Sequence, residues 1–242
     1  GRIPRWRPGG SGWQMAGAGR VAGGKGSGFF PQTLYIPFVM ETDLPTAVRG
    51  RPREFCTEAA LAAALHVFWS KGYEGASLSD LTEAMGITRP SLYAAFGNKE
   101  ELFRKALDLY ETEKLAYVGE ALAEPSARAV AEHFMRGALE NQTRKSEPHG
   151  CLGVISSVAC GAEAESIRKE VLARGAKGRV KLVERMQRAR DEGDLPAHID
   201  PEAITGYLYA VLQGMAVQAG AGASREELER LVETTLLVWP SR

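Results

Sequence analysis

Between Thr88 and Tyr93 the chain sets out four side chains able to donate hydrogen bonds: Thr88, Arg89, Ser91 and Tyr93, with Pro90 among them. Groups of this kind donate to phosphate oxygens and to base edges. Thr88, Arg89 and Ser91 are the candidates for base contacts. Tyr93, Ser77 and Lys99 are assigned to phosphates. Lys99 stands where a helix should begin, and the free N–H groups of a helix N-terminus already favour an anion.

Other chemistry is sparse. His149 and Cys151 are close in sequence, but two ligands do not make a metal site, and no other His/Cys spacing suits one. No nucleophile elbow or carboxylate pair can be placed, and no cofactor is expected. Gly19 to Lys25 mimics a phosphate-binding loop, but Gly26 stands where Ser or Thr should bind magnesium. Gly17-x-Gly19-x-x-Ala22 mimics a dinucleotide fingerprint, and neither has a preceding apolar strand. Asn141-Gln142-Thr143 is a glycosylation sequon only in a secreted chain.

The donors need a rigid carrier. Ser77 and Asp80 have capping-box spacing, and Leu78, Leu81 and Met85 recur on one helical face. Gly86 can close that helix at positive φ without steric cost. Thr88 can cap a second helix with Pro90 in its first turn, and Leu92 and Phe96 give it a buried side. Asn98 and Glu101 form another capping pair. Helix, Gly-containing turn, helix is the helix-turn-helix arrangement, whose second helix enters the major groove.

The segment from Thr57 to Leu107 resembles the DNA-binding domain of TetR/AcrR-type transcriptional regulators. The matching residues are Phe68, Gly72 and Tyr73, then Ser77-x-x-Asp80-Leu81 and Met85-Gly86-Ile87-Thr88. Leu92-Tyr93-x-x-Phe96-x-x-Lys99-Glu100-x-Leu102 completes them. The resemblance implies a homodimeric, all-α repressor with a three-helix N-terminal DNA-binding domain. A C-terminal helical domain would bind a small-molecule effector and dimerise. Double-stranded operator DNA and that effector are the implied partners, and the cytoplasm is the implied location. A Gly-Cys-Leu segment such as Gly150-Cys151-Leu152 is similar to one in many members of that family.

Composition agrees with contact at one end. The formal net charge is zero, yet residues 1–53 carry eight basic side chains against two acidic ones. A basic arm on a mildly acidic body suits DNA held by one end. Arg49-Gly50-Arg51-Pro52-Arg53 resembles an AT-hook core, in which Arg49 and Arg51 would enter a narrow minor groove. Three cysteines, Cys56, Cys151 and Cys160, argue for a reducing compartment rather than a disulfide scaffold. The most apolar leader stretch, 29–40, is broken by Pro31 and Pro37, so no membrane partner is expected.

The expected organisation is a disordered leader over 1–48, a DNA-binding domain with its arm over 49–105, and an effector-binding and dimerisation domain over 106–242. Met15 and Met40 are both possible starts, and Met40 is preferred. A first helix is expected over 57–71. One long helix over 99–123 would run from the DNA into the second domain. Further helices are expected from Pro125, over 150–161, over 162–192 with Val180 and Val183 in its buried stripe, from Asp200, and from Ser224. Expected effector walls are Tyr110, Tyr117, Phe134, Met135, Leu152, Ile155, Met186, Tyr207 and Val211. The expected dimer interface is Ile204, Leu208, Val211, Leu212, Met215, Leu228, Leu231, Thr235 and Val238. Two alternatives stand beside the repressor: a thiol-based redox or electrophile sensor using Cys151 or Cys160, and a helical small-molecule-processing enzyme.

Overall fold

Ten α-helices and no strand make up the described residues of the computed structural model, which are 56–158, 161 and 164–240. The leader, Arg49, Arg51 and Cys160 lie outside them. α1 (Thr57–Gly75) turns at Gly72, whose φ of 71° breaks the helical geometry. α2 (Leu78–Met85) opens on a reciprocal capping box: Ser77 Oγ accepts from the Asp80 N–H, and Asp80 accepts from the Ser77 N–H. α3 (Arg89–Phe96) is capped by Thr88. α4 (Lys99–Lys114) is capped by Asn98 with Glu101.

The expected long helix over 99–123 is two helices. Leu115 leaves helical geometry (φ −107°, ψ 12°) and starts α5 (Ala116–Ala123) on a new course. The break lets α5 lie along α6 (Ala127–Thr143). The Tyr117 ring meets Phe134 at 6.2 Å between centroids and tucks over Gly137. A Cβ at Gly137 would lie 2.9 Å from Tyr117 Cβ and nearer still to its ring. Gly137→Ala is therefore expected to cost about 1–3 kcal/mol, as overpacking does, read as a lowered thermal midpoint. Pro125 precedes α6 instead of lying in its first turn, because Ser126 supplies the cap.

α7 (Leu152–Val158) is short, and α8 (Glu165–Asp191), α9 (Pro201–Gly220) and α10 (Arg225–Leu237) complete the chain. Two apolar clusters hold these elements. The larger gathers α6, the C-terminal half of α8, α9 and α10 around Phe134, Met135, Met186, Leu208 and Met215. The other joins α1 to α4 around Phe68, Trp69, Leu81, Leu92 and Phe103. Phe68 and Phe103 meet edge to face at 4.9 Å, a favoured aromatic geometry.

This second cluster does not stop at the helices that hold α3. Leu152 of α7 and Ile167 and Val171 of α8 are buried in it. Trp69 Nε1 donates to the Gly150 carbonyl at 3.3 Å, and its ring meets Tyr110 edge to face at 4.9 Å. Charged side chains make a second tie between α4 and α8. Arg104 binds Glu100 and Glu170, while Arg174 reaches Asp108 at 2.7 Å, Glu111 at 3.2 Å and Glu170 at 2.8 Å. The expected stripe of α8 holds at Ile167, Val171, Leu182 and Met186 but not at Val180, which is 55% exposed. Here α8 meets α9 through Gly178 and Arg179 instead.

Candidate nucleic-acid interface and internal cavity

α3 owes its exposure to where its apolar residues fall. Leu92 and Phe96 are buried, so Arg89, Pro90, Tyr93, Ala94 and Ala95 face solvent. The turn before it is tight: Gly86 adopts φ 64°, and its N–H and that of Ile87 return to Glu83 and Thr82 at 3.1 Å each. Thr88 Oγ1 lies 3.0 Å from Ser91 Oγ and caps the Ser91 N–H, so these two hydroxyls are coupled at the start of the helix. Thr88 is exposed and Ser91 half-buried.

Three more of the expected contacts have partners of their own: Arg89, Ser77 and Lys99. Arg89 Nη2 donates to Ser79 Oγ at 2.9 Å, which folds the guanidinium back on α2. Reaching a base edge requires that bond to open. Ser77 donates its hydroxyl to Asp80 at 2.7 Å, and Lys71 Nζ binds the same carboxylate at 2.7 Å. These bonds from Lys71 and Ser77 hold the Asp80 carboxyl far below the usual carboxylate range. Ser77 thus serves the helix start, and its proton is already committed. Lys99 packs over the Tyr73 ring at 4.6 Å from the centroid, an ammonium on an aromatic face. Partial burial lowers its pKa, with Glu74 acting in the opposite sense.

If Arg89 reads a base, Arg89→Ala is expected to relax sequence preference at one base pair by about 1–3 kcal/mol. Lys99→Ala should weaken binding to every sequence and shrink the salt slope by about one. Titrations of matched and scrambled duplexes at several salt concentrations separate the two. A uniform loss for Arg89→Ala contradicts the base-reading role expected for it.

Behind the interface, α4, α5, α7, α8 and α9 enclose a partly open cavity of about 1070 Å³. That is just above the roughly 300–1,000 Å³ of small-molecule sites. Its walls include Leu107, Tyr110, Leu115, Val118, Leu122, Cys151, Val154, Leu212 and Tyr209. Of the nine expected effector walls, Tyr110 lines this space. Phe134, Met135 and Met186 are sealed in the larger apolar cluster, and Leu152 in the smaller. Ile155 packs against the Gly72 turn of α1, Tyr117 covers Gly137, and Tyr207 is 40% exposed on α9. Val211 lies half-buried against the larger cluster. The space opens one helix over from the expected place because α5 breaks away at Leu115 and α8 leaves its middle turns uncovered.

Sequence reasoning missed the α8 side of the cavity, which brings Arg174, Lys177, Arg179 and Lys181. The only local signal was the recurrence of Gly175 and Gly178 among those charges. Tyr110 sits at the inner end. Its hydroxyl receives a 3.1 Å bond from Asn141 and lies 3.5 Å from Cys151 Sγ. Burial, and then the neighbouring Cys151, push its pKa well above the ordinary value. Cys151 is a free, half-buried thiol, and Cys56 is free and exposed.

The expected dimer residues divide. Leu208, Leu212, Met215, Leu228 and Thr235 are buried within the single chain, so that part of the expected interface is subunit core. Ile204, Val211 and Leu231 are half-buried, and Val238 is 62% exposed. Also exposed on the last two helices are Tyr207, Val217 and Leu237. Among the described residues no cluster of His, Cys, Asp and Glu could hold a metal ion, and no helix is long and apolar enough to cross a membrane.

A capped, exposed recognition helix on a helical body defines a helix-turn-helix transcriptional regulator. The chain belongs to the TetR family. Residues 60–106 match the family described as bacterial regulatory proteins, tetR family, and residues 127–235 match the tetracyclin repressor-like C-terminal domain. The HTH-type transcriptional repressor ComR of Escherichia coli strain K12 is 35% identical over 207 residues, which cover 83% of this chain and 98% of ComR. The HTH-type regulator YezE of Bacillus subtilis strain 168 is 32% identical, over 78% of this chain and 98% of YezE. Among solved structures, the TetR family regulator CifR, a cysteine mutant complexed with 26-bp double-strand operator DNA, is 42% identical. It covers 78% of this chain and 100% of its own, with a TM-score of 0.74. The family consists of transcriptional regulators, so the chain is a regulator and not an enzyme.

Proposed function

We propose that the protein is a homodimeric repressor that binds a two-fold symmetric operator and releases it when a small molecule fills the cavity. The observation that carries the reading is the exposed first turn of α3, where Thr88, Arg89 and Pro90 face solvent at the end of a buried Leu92–Phe96 anchor. The repressor relatives and the operator complex of CifR support it. Two recognition helices need two-fold related copies one helical turn of DNA apart. Tyr207, Val217, Leu237 and Val238, with half-buried Ile204, Val211 and Leu231, are the surface proposed for that pairing. The proposed division of the chain keeps DNA contact within 49–105 and effector binding and pairing within 106–242, with the protein acting in the cytoplasm.

The proposed coupling is mechanical. Tyr110 and Glu111 of α4 line the cavity, and α4 begins at Lys99 beside the recognition helix. A ligand that favours one placement of α4 over another shifts the spacing of the two reading heads by its differential affinity alone. Footprinting the DNA upstream of its own gene tests the reading. A protected inverted repeat supports it, and no protection at low salt refutes it.

A covalent signal at Cys151 is a second reading, favoured by the position of Sγ on the cavity wall beside Tyr110. Thiol alkylation should then release DNA from the native protein and not from a Cys151→Ser variant. Release from both would assign the effect elsewhere.

A further inference from the structure

We propose that the effector is an amphipathic anion, a carboxylate or like head group on an apolar body, with the head held by Arg179 of α8 beside Tyr209 of α9 and with Lys177 and Lys181 adding positive charge at the cavity rim. This rests on reading the cavity as the effector site. The argument begins with charge that is left over. Six charged side chains line the cavity: Glu111, Glu170, Arg174, Lys177, Arg179 and Lys181. The first three satisfy one another. Arg174 binds Glu111 and Glu170, and Glu170 also receives Arg104 at 2.6 Å. Lys177, Arg179 and Lys181 have no carboxylate within 4.0 Å among the described residues. Three cations therefore border a largely apolar space without a counter-charge. All three are solvent-exposed and keep their hydration, so an anionic guest gains their attraction while a cationic guest is repelled.

Arg179 is the best placed of the three. A Cβ built on Gly206 of α9 would lie 3.2 Å from Arg179 Nη2, so the guanidinium crosses from α8 and rests over a bare stretch of α9. Tyr209 of α9 crosses the other way: its Oη would lie 3.2 Å from a Cβ on Gly178. The two glycines make room for a guanidinium and a phenol that bridge the same gap from opposite sides. Burial raises the Tyr209 pKa while the Arg179 charge opposes that rise, which places the two groups within electrostatic reach. A planar fork of N–H donors beside an O–H donor matches a carboxylate. The apolar body would lie against Leu115, Val118, Leu122 and Val154, toward Tyr110.

The test uses the full chain and three ten-carbon probes below their aggregation limits: decanoate, decanol and decylamine, titrated by calorimetry. Decanoate is expected to bind about tenfold tighter than decanol, with decylamine weakest. The exposed double variant Arg179→Gln, Lys181→Gln should lower decanoate to the level of decanol and leave decanol unchanged. Gly119→Trp, placed where an added Cβ meets nothing within 4 Å on the cavity wall, should remove binding of both. If decanol or decylamine matches decanoate, or the double variant keeps the preference, the anionic effector is overturned while the cavity remains the effector site. If no probe binds, or Gly119→Trp leaves decanoate binding intact, the cavity reading fails and the proposal falls with it.

Discussion

Replacing Val217 and Leu237 together by glutamate is expected to leave the protein monomeric and to lower operator affinity by roughly 10²–10⁴-fold. The magnitude follows from valence. A dimer engages its second half-site as an intramolecular event, and a monomer forfeits that gain without losing any contact at the first. Val217 is 59% exposed and Leu237 84% exposed in the single chain. Glutamate at either site therefore costs little in an isolated subunit, but paired copies would have to bury the charge without a partner. Sedimentation should show half the native mass with helix content unchanged by circular dichroism. A variant that remains dimeric with native affinity would remove the last two helices as the pairing surface.

Gly150→Ala is expected to destabilise the fold by about 3 kcal/mol or more, as backbone strain and a hard contact act together. Gly150 adopts φ 92°, a conformation that L side chains rarely hold. A Cβ there would lie 2.9 Å from the carbonyl oxygen of Ala216, backbone of α9 that has no rotamer to change. Both backbone groups of Gly150 are also in use. Its N–H donates to the Gln142 carbonyl at 3.0 Å, and its carbonyl accepts from Trp69 Nε1. For a chain of this size each kcal/mol lowers the thermal midpoint by about 2–4 °C. Calorimetry should therefore show a fall of roughly 6–12 °C at that rate. An unchanged midpoint would mean the turn relaxes freely and the Trp69 bond is dispensable. Since Trp69 sits in the core that holds α3, operator binding should weaken in step with stability.

These two variants mark different depths of legibility. The helix starts and the turn around α3 were legible residue by residue because their determinants are local. The Ser77–Asp80, Thr88–Ser91 and Asn98–Glu101 caps close over three residues, and Gly86 turns the chain at a single φ. Nothing distant is needed to see that Leu92 and Phe96 face inward and Arg89 outward. The apolar repeats of α9 and α10 were legible as repeats, but not as to what covers them. Leu208 and Leu228 proved to be subunit core, while Val217 and Leu237 were left outside. A 3.6-residue period reports that a face is apolar and is silent on the partner it meets.

Other features follow from non-local packing. Leu115 leaves helical geometry although Lys99–Ala123 reads as a continuous helix, and α5 there turns to pack on α6. Arg89 rests on Ser79, ten residues away, and Arg179 lies over Gly206 of another helix. The amino-acid order alone specified the capped helices and the turn that carry Thr88–Tyr93, because caps and periodicity act over one or two turns, and the regulator reading came from the resemblance of the Thr57–Leu107 segment. The place of the cavity, the cations on its wall that have no carboxylate partner among the described residues, and the exposed residues of the last two helices depended on the folded arrangement. Such features arise where helices fail to meet, and that outcome depends on every side chain packed between them.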